Sequence, residues 1–98
     1  RYLLLMDEPS TGLHQSDIQG LLAVFDRLLL DGHSIVMIEH HLDLLLASDY
    51  LIDLGPGGGV LGGQIVAQGA VAEVLHSKNS LTAQYLRQRK AALSTKIN

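Results

Sequence analysis

The chain contains no cysteine. It therefore carries no disulfide and no zinc site built on thiolates. Aromatic residues make up only 4% of it, so a core must be aliphatic, drawn mainly from Leu, Val and Ile. No unbroken apolar run exceeds about five residues, far short of the roughly 20 that a membrane-spanning helix needs. The apolar opening, YLLLM at 2–6, lacks a basic n-region and a small-residue cleavage site, so it does not read as a signal peptide. The expected location is cytoplasmic, with no membrane partner.

The chain has 98 residues, of which 47% are hydrophobic and 17% charged, with a net charge of −3. That suits one small domain with enough apolar side chains for a core. The charge is uneven. Glu73 is the only acid beyond Asp53, while Arg87, Arg89, Lys90 and Lys96 crowd the end. Such a cluster can be a nucleic-acid footprint. The preferred reading is a solvated helix end and tail.

Residues 2–6 read as a short buried strand ended by a turn signal. A loop follows at 10–14. Ser16 with Gln19 forms a capping-box pattern that opens a helix. Ile18, Leu21, Leu22, Phe25, Leu28 and Leu29 hold the spacing of one buried helical face. Gly32, just past them, suits a left-handed C-cap. SIVMI at 34–38 reads as a second buried strand, completing a parallel βαβ unit with a right-handed crossover. A short helix is expected from Leu42 to Ala47. YLIDL (50–54) and QIVAQ (64–68) read as strands of an antiparallel hairpin around a glycine-rich connection at 55–63. Residues 70–76 and about 80–93 read as helices, and the last few residues as a frayed tail.

Ligands of open α/β sheets bind beyond the carboxyl ends of the strands. Asp7 and Glu8 stand at that place. A strand that is apolar on both faces cannot hold unpaired carboxylates inside, so both acids are expected to emerge there. One could face a metal and the other a water, the division that nucleotide hydrolysis needs. Alone, the DE pair is a weak motif. It is followed by PSTGLH, however, and the second strand ends in IEHH. One helical crossover makes Glu8 and His40 neighbours across one cleft.

These stretches resemble the C-terminal part of an ABC-type ATPase domain. LLLMDE is similar to a Walker B strand with its glutamate, STGL to a D-loop, and His40 to the switch histidine. Among ABC ATPases the resemblance is to the UvrA-like family, the damage-sensing subunit of bacterial excision nuclease. DEPSTGLH, IEHHLD, SDYLIDLGPGGG, GGQIVAQG and TAQYL carry it, in order and over about residues 2–87.

The resemblance implies an α/β fold, the C-terminal part of a P-loop ABC ATPase domain over 1–93 with a tail at 94–98. It implies that Asp7 helps hold Mg²⁺, through water, and that Glu8 polarises the attacking water as general base. It gives His40 contact with the γ-phosphate of ATP. Ser10, Thr11 and Gly12 become a D-loop that touches a second nucleotide site. Gly12 also has a local reason, since glycine readily takes φ > 0. His14 and His41 receive no role, and Glu39 is expected to orient the loop rather than perform chemistry. The glycines at 55–63 are no phosphate loop, because they lack the Lys-Ser/Thr ending and precede a strand. Gly57 stands where the family carries an acid, which keeps a UvrA-like paralogue open beside the repair protein.

Walker A, the Q-loop, the signature motif and zinc-binding cysteines are all missing from these residues, so the chain reads as a C-terminal fragment of a longer protein. Zinc would belong outside this segment. In the family's sheet the Walker A strand neighbours the strand ending at His40. That edge is expected to be bare and open to pairing, so the isolated segment is expected to dimerise, swap elements or rearrange its hairpin. It is also expected not to bind ATP tightly, without the phosphate-cradling amides and lysine. The leading function is ATP hydrolysis in a UvrA-like protein of nucleotide excision repair, acting as a homodimer on duplex DNA with other repair subunits. The alternatives are an ABC transporter ATPase and a non-catalytic regulatory module.

Overall fold

The computed structural model describes residues 1–55 and 63–96. The connection expected at 55–63, with Gly57, therefore lies mostly outside the described residues. The chain divides into two compact units, Arg1–Ala47 and Ser48–Asn98.

In the first unit, β1 (Leu3–Asp7) leads through a short 3-10 turn (Gln15–Asp17) into α1 (Ile18–Leu30). Then come β2 (Ser34–Ile38) and α2 (Leu42–Ala47). The strands pair in parallel, from Leu3 opposite Ser34 to Asp7 opposite Ile38. The unit is thus the βαβ unit the apolar spacing implies. Ile18, Phe25 and Leu44 are buried, with Met6, Leu21, Leu22, Ile35 and Met37 packed around them. The helix ends as expected. Gly32 has φ +92°, and its N–H reaches Leu29 O while that of His33 reaches Leu28 O, satisfying the last carbonyls.

Two expectations fail in this unit. The helix does not open on Ser16 and Gln19: the Asp17 carboxylate accepts the His14 N–H at 3.1 Å, and the 3-10 turn starts a residue earlier. An acid three residues after the entry residue, accepting that residue's N–H, is the N3 half of a capping box built on His14 and Asp17. The strands are also only half buried. Leu4, Met6, Ile35 and Met37 face the helices, whereas Leu5 is 74% exposed and Ile38 67%. A run of consecutive apolar residues cannot announce which faces are covered, and in this unit the helical packing lies on one face.

The second unit holds β3 (Tyr50–Leu54), β4 (Ile65–Ala70), α3 (Val71–Val74) and α4 (Leu81–Lys96). β3 and β4 are antiparallel, from Tyr50 opposite Ala70 to Leu54 opposite Ile65, with an irregularity at Asp53–Leu54. Leu51, Val74, Leu75, Ala83 and Leu86 form its buried set. The helix after β4 is shorter than expected, and the final helix runs past residue 93. Ser80 caps α4: its Oγ accepts the Ala83 N–H at 2.9 Å and donates to Asp53 Oδ2 at 2.6 Å. Thr82 Oγ1 donates to Asp53 Oδ1 at 3.2 Å. One carboxylate of β3 thereby fixes the start of α4. Arg87 donates to the carbonyls of Leu75 and Ser77 at 2.6 and 3.1 Å, so this member of the basic cluster is engaged in holding a turn. Among the described residues no helix is long and apolar enough to cross a membrane.

Candidate active site at the strand ends

Glu8 continues the ladder by one bond, its N–H donating to Ile38 O at 2.7 Å. The chain then turns sharply twice. Thr11 N–H closes on Glu8 O, and Leu13 N–H on Ser10 O, each at 3.0 Å. Pro9 occupies the second position of the first turn, which suits its fixed φ. Gly12 occupies the third position of the second, at φ +81°, where a type II turn needs a left-handed residue. Glu8 itself has φ +49° and is the only such non-glycine residue among those described. A left-handed glutamate costs on the order of 1 kcal/mol, and such strain gathers at functional sites.

The parallel pairing brings the two strand ends together. Glu8 Oε1 lies 3.8 Å from His40 Nε2, with the Glu8 side chain 45% and the His40 side chain 79% exposed. Thr11 Oγ1 donates weakly to Glu8 Oε2 at 3.4 Å. The Asp7 side chain, exposed at the end of β1, has no hydrogen-bond or ion-pair partner among the described residues. The geometry thus unites Glu8 and His40 and leaves the Asp7 carboxylate open. Ser10 is buried, Thr11 and Gly12 exposed.

The group that organises this end of the sheet is Glu39, whose side chain is wholly covered. Its Oε1 accepts from Ser10 Oγ at 2.9 Å, His40 N–H at 2.9 Å and His41 N–H at 3.1 Å. Its Oε2 accepts from Ser10 N–H at 3.1 Å. Burial alone would push the Glu39 carboxyl up. The hydrogen bonds from His40, Ser10 and His41 outweigh it and hold the group below the usual carboxylate range. A second tie lies alongside. Gln15 Nε2 donates to Asp43 Oδ2 at 2.6 Å, His41 Nε2 lies 3.2 Å from Gln15 Oε1, and Asp43 N–H reaches His41 Nδ1 at 3.3 Å. His41, which had no expected role, holds the start of α2. The local signal for Glu39 is an acid before a strand-end histidine, but its partner Ser10 is far away in sequence.

The sign of the Glu39 shift fixes a pH dependence. A carboxyl with a lowered folded pKa stabilises the fold above its unfolded value, about 4.3, and that stability is lost as pH falls through the folded value. The stability advantage of the wild type over Glu39→Gln should therefore be flat above about pH 5 and shrink below about pH 4. Amide exchange of His40 and His41, followed from pH 7 downward, measures it. An advantage that grew on acidification would contradict the assignment.

Fold and site together define an α/β unit carrying an acid–histidine pair at the carboxyl ends of adjacent parallel strands. No family model matches the chain. It is 50% identical over 88 residues to UvrABC system protein A of Aquifex aeolicus, covering 90% of this chain and 10% of that protein. It is 53% identical over 85 residues to the same protein of Mycoplasma genitalium, covering 86% and 9%. A crystal structure of UvrA2 from Deinococcus radiodurans matches with a TM-score of 0.83 and 41% identity, over 90% of this chain and 11% of that one. The chain is UvrA-like, and it spans about a tenth of the length of the curated relatives it matches.

Proposed function

We propose that this chain supplies part of an ABC-type ATP hydrolysis site in a UvrA-like protein of nucleotide excision repair. The observation that carries the reading is the approach of Glu8 Oε1 to His40 Nε2, 3.8 Å apart at the ends of paired strands. An open carboxylate and a half-exposed one side by side fit Mg²⁺–ATP, since Mg²⁺ is usually held by one or two carboxylates with water and phosphate oxygens. Bound Mg²⁺–ATP supplies the phosphorus under attack and the neutralisation of its charge. Asp7 would help hold the metal through water. Glu8 orients the attacking water and accepts its proton. His40, exposed at the surface beside Glu8, would donate to the γ-phosphate. Ser10, Thr11 and Gly12 form the D-loop toward the second site of a homodimer. The whole protein acts in the cytoplasm on duplex DNA with other excision-repair subunits.

The test uses the full-length protein that carries this chain. Its affinity for damaged and undamaged duplex DNA is measured with and without ATP. A preference for damaged duplex that changes with ATP is expected. ATP hydrolysis with no DNA binding would move the partner elsewhere, toward a transporter or a repurposed paralogue. No hydrolysis would leave the regulatory-module reading.

A further inference from the structure

The buried carboxylate of Glu39 has no chemical step assigned to it, yet four hydrogen bonds from the two site loops converge on it. We infer that Glu39 is a positioning residue for hydrolysis: it locks the turn after Glu8 to the backbone of His40, so that both groups address one substrate. The inference rests on the ATPase reading above.

The argument comes from which oxygen takes which donor. Oε1 gathers Ser10 Oγ, His40 N–H and His41 N–H, while Oε2 takes Ser10 N–H alone. The loop after β1 and the loop after β2 thus meet on one group with no exposed surface. All four bonds need an acceptor, and a carboxylate has acceptor oxygens on both arms. Glutamine has one. If its oxygen keeps the three donors on the Oε1 side, its NH₂ faces the Ser10 N–H, donor against donor. Glu39→Gln should therefore leave the His40 loop in place and release the Ser10 turn, changing the relation of Glu8 to His40 with little change of volume. Misplacement by about 1 Å at a reacting centre can cost about a hundredfold in rate.

The experiment is a double-mutant cycle in the full-length protein, with kcat and KM for ATP measured on wild type, Glu39→Gln, His40→Ala and the double variant. Glu39→Gln should lower kcat about ten- to a hundredfold with KM within about threefold. In the His40→Ala background the same change should cost no more than about twofold, because the relation of Glu8 to His40 that the tie maintains is already lost. Ser10→Ala, which deletes one donor and keeps the backbone tie, should lower kcat by a smaller factor and guards against misfolding as the cause. Wild-type kcat in Glu39→Gln, or losses that multiply with His40→Ala, would overturn the positioning role. Glu8→Gln is run in parallel: if it hydrolyses ATP normally, the ATPase reading itself fails and the positioning role falls with it. If Glu8→Gln is inactive and Glu39→Gln is normal, only the positioning role is lost.

Discussion

Glu8→Gln in the full-length protein is expected to lower kcat for ATP hydrolysis by about 10²- to 10⁴-fold, the usual contribution of a positioned general base. ATP affinity should change little. The amide is nearly isosteric with the carboxylate, and the only side-chain hydrogen bond at stake is the weak one from Thr11 at 3.4 Å. The backbone turn does not depend on the carboxylate, since Glu8 N–H and C=O are both engaged by main-chain groups. What disappears is the basic oxygen 3.8 Å from His40. Single-turnover hydrolysis and nucleotide binding, measured side by side, separate the two effects. Loss of both together would mean that Glu8 serves binding rather than proton transfer. Turnover like that of wild type would remove Glu8 from the mechanism. The left-handed backbone at this residue, φ +49°, adds an internal contrast: Glu8→Gly should be equally inactive yet free of the steric strain.

The βαβ unit was legible because its signals are local. Ile18 to Leu28 keep one face, although Leu29, expected on it, is 43% exposed, and Gly32 stops the helix with a left-handed residue. The hairpin was legible from two short apolar strands around a glycine-rich connection. Burial was not legible in the same way. Leu3, Leu5, Val36 and Ile38 are as apolar as Met6, Ile35 and Met37, but only the second set packs against the core of Ile18, Phe25 and Leu44. Composition states that a side chain can be buried, and packing decides whether it is. The helix entry failed for a related reason: Asp17 and Ser16 both cap well, and the choice between them depends on how the double turn delivers the chain.

The proximity of Glu8 and His40 followed from topology alone, since parallel strands joined by one helix end on the same edge. The tie that fixes their distance did not. Glu39 was expected to orient the loop, but IEHH could not show what it would hold, because its partner Ser10 comes from the other strand's loop. A non-local hydrogen-bond set leaves no periodic trace in a sequence. It becomes visible only when a fully covered carboxylate is found with every donor accounted for.

Leu44→Ala is expected to cost about 2–5 kcal/mol of local stability, the range for truncating a fully buried leucine. Leu44 is 0% exposed and shares the first unit's core with Ile18 and Phe25. Its removal loses apolar burial and leaves a space that a six-residue helix, anchored by this one buried side chain, is poorly placed to fill. The consequence reaches the site. Leu42 begins α2 directly after His40 and His41, and Leu45 N–H bonds back to His41 O at 3.1 Å. A loosened α2 frees the loop that presents the histidine. Hydrogen exchange on the full-length protein reads the effect where it occurs: protection at the Leu45 amide and along α1 should fall at least tenfold, and kcat should fall with it. Leu30→Ala is the matched control. Leu30 is 84% exposed at the end of α1, so the same chemical truncation should stay within about 0.5 kcal/mol. Equal losses at the two positions would show that the packing of Leu44 does not set the stability of this unit, since alanine is the better helix former at both. Unequal losses without any change in kcat would show that α2 and the His40 loop move independently.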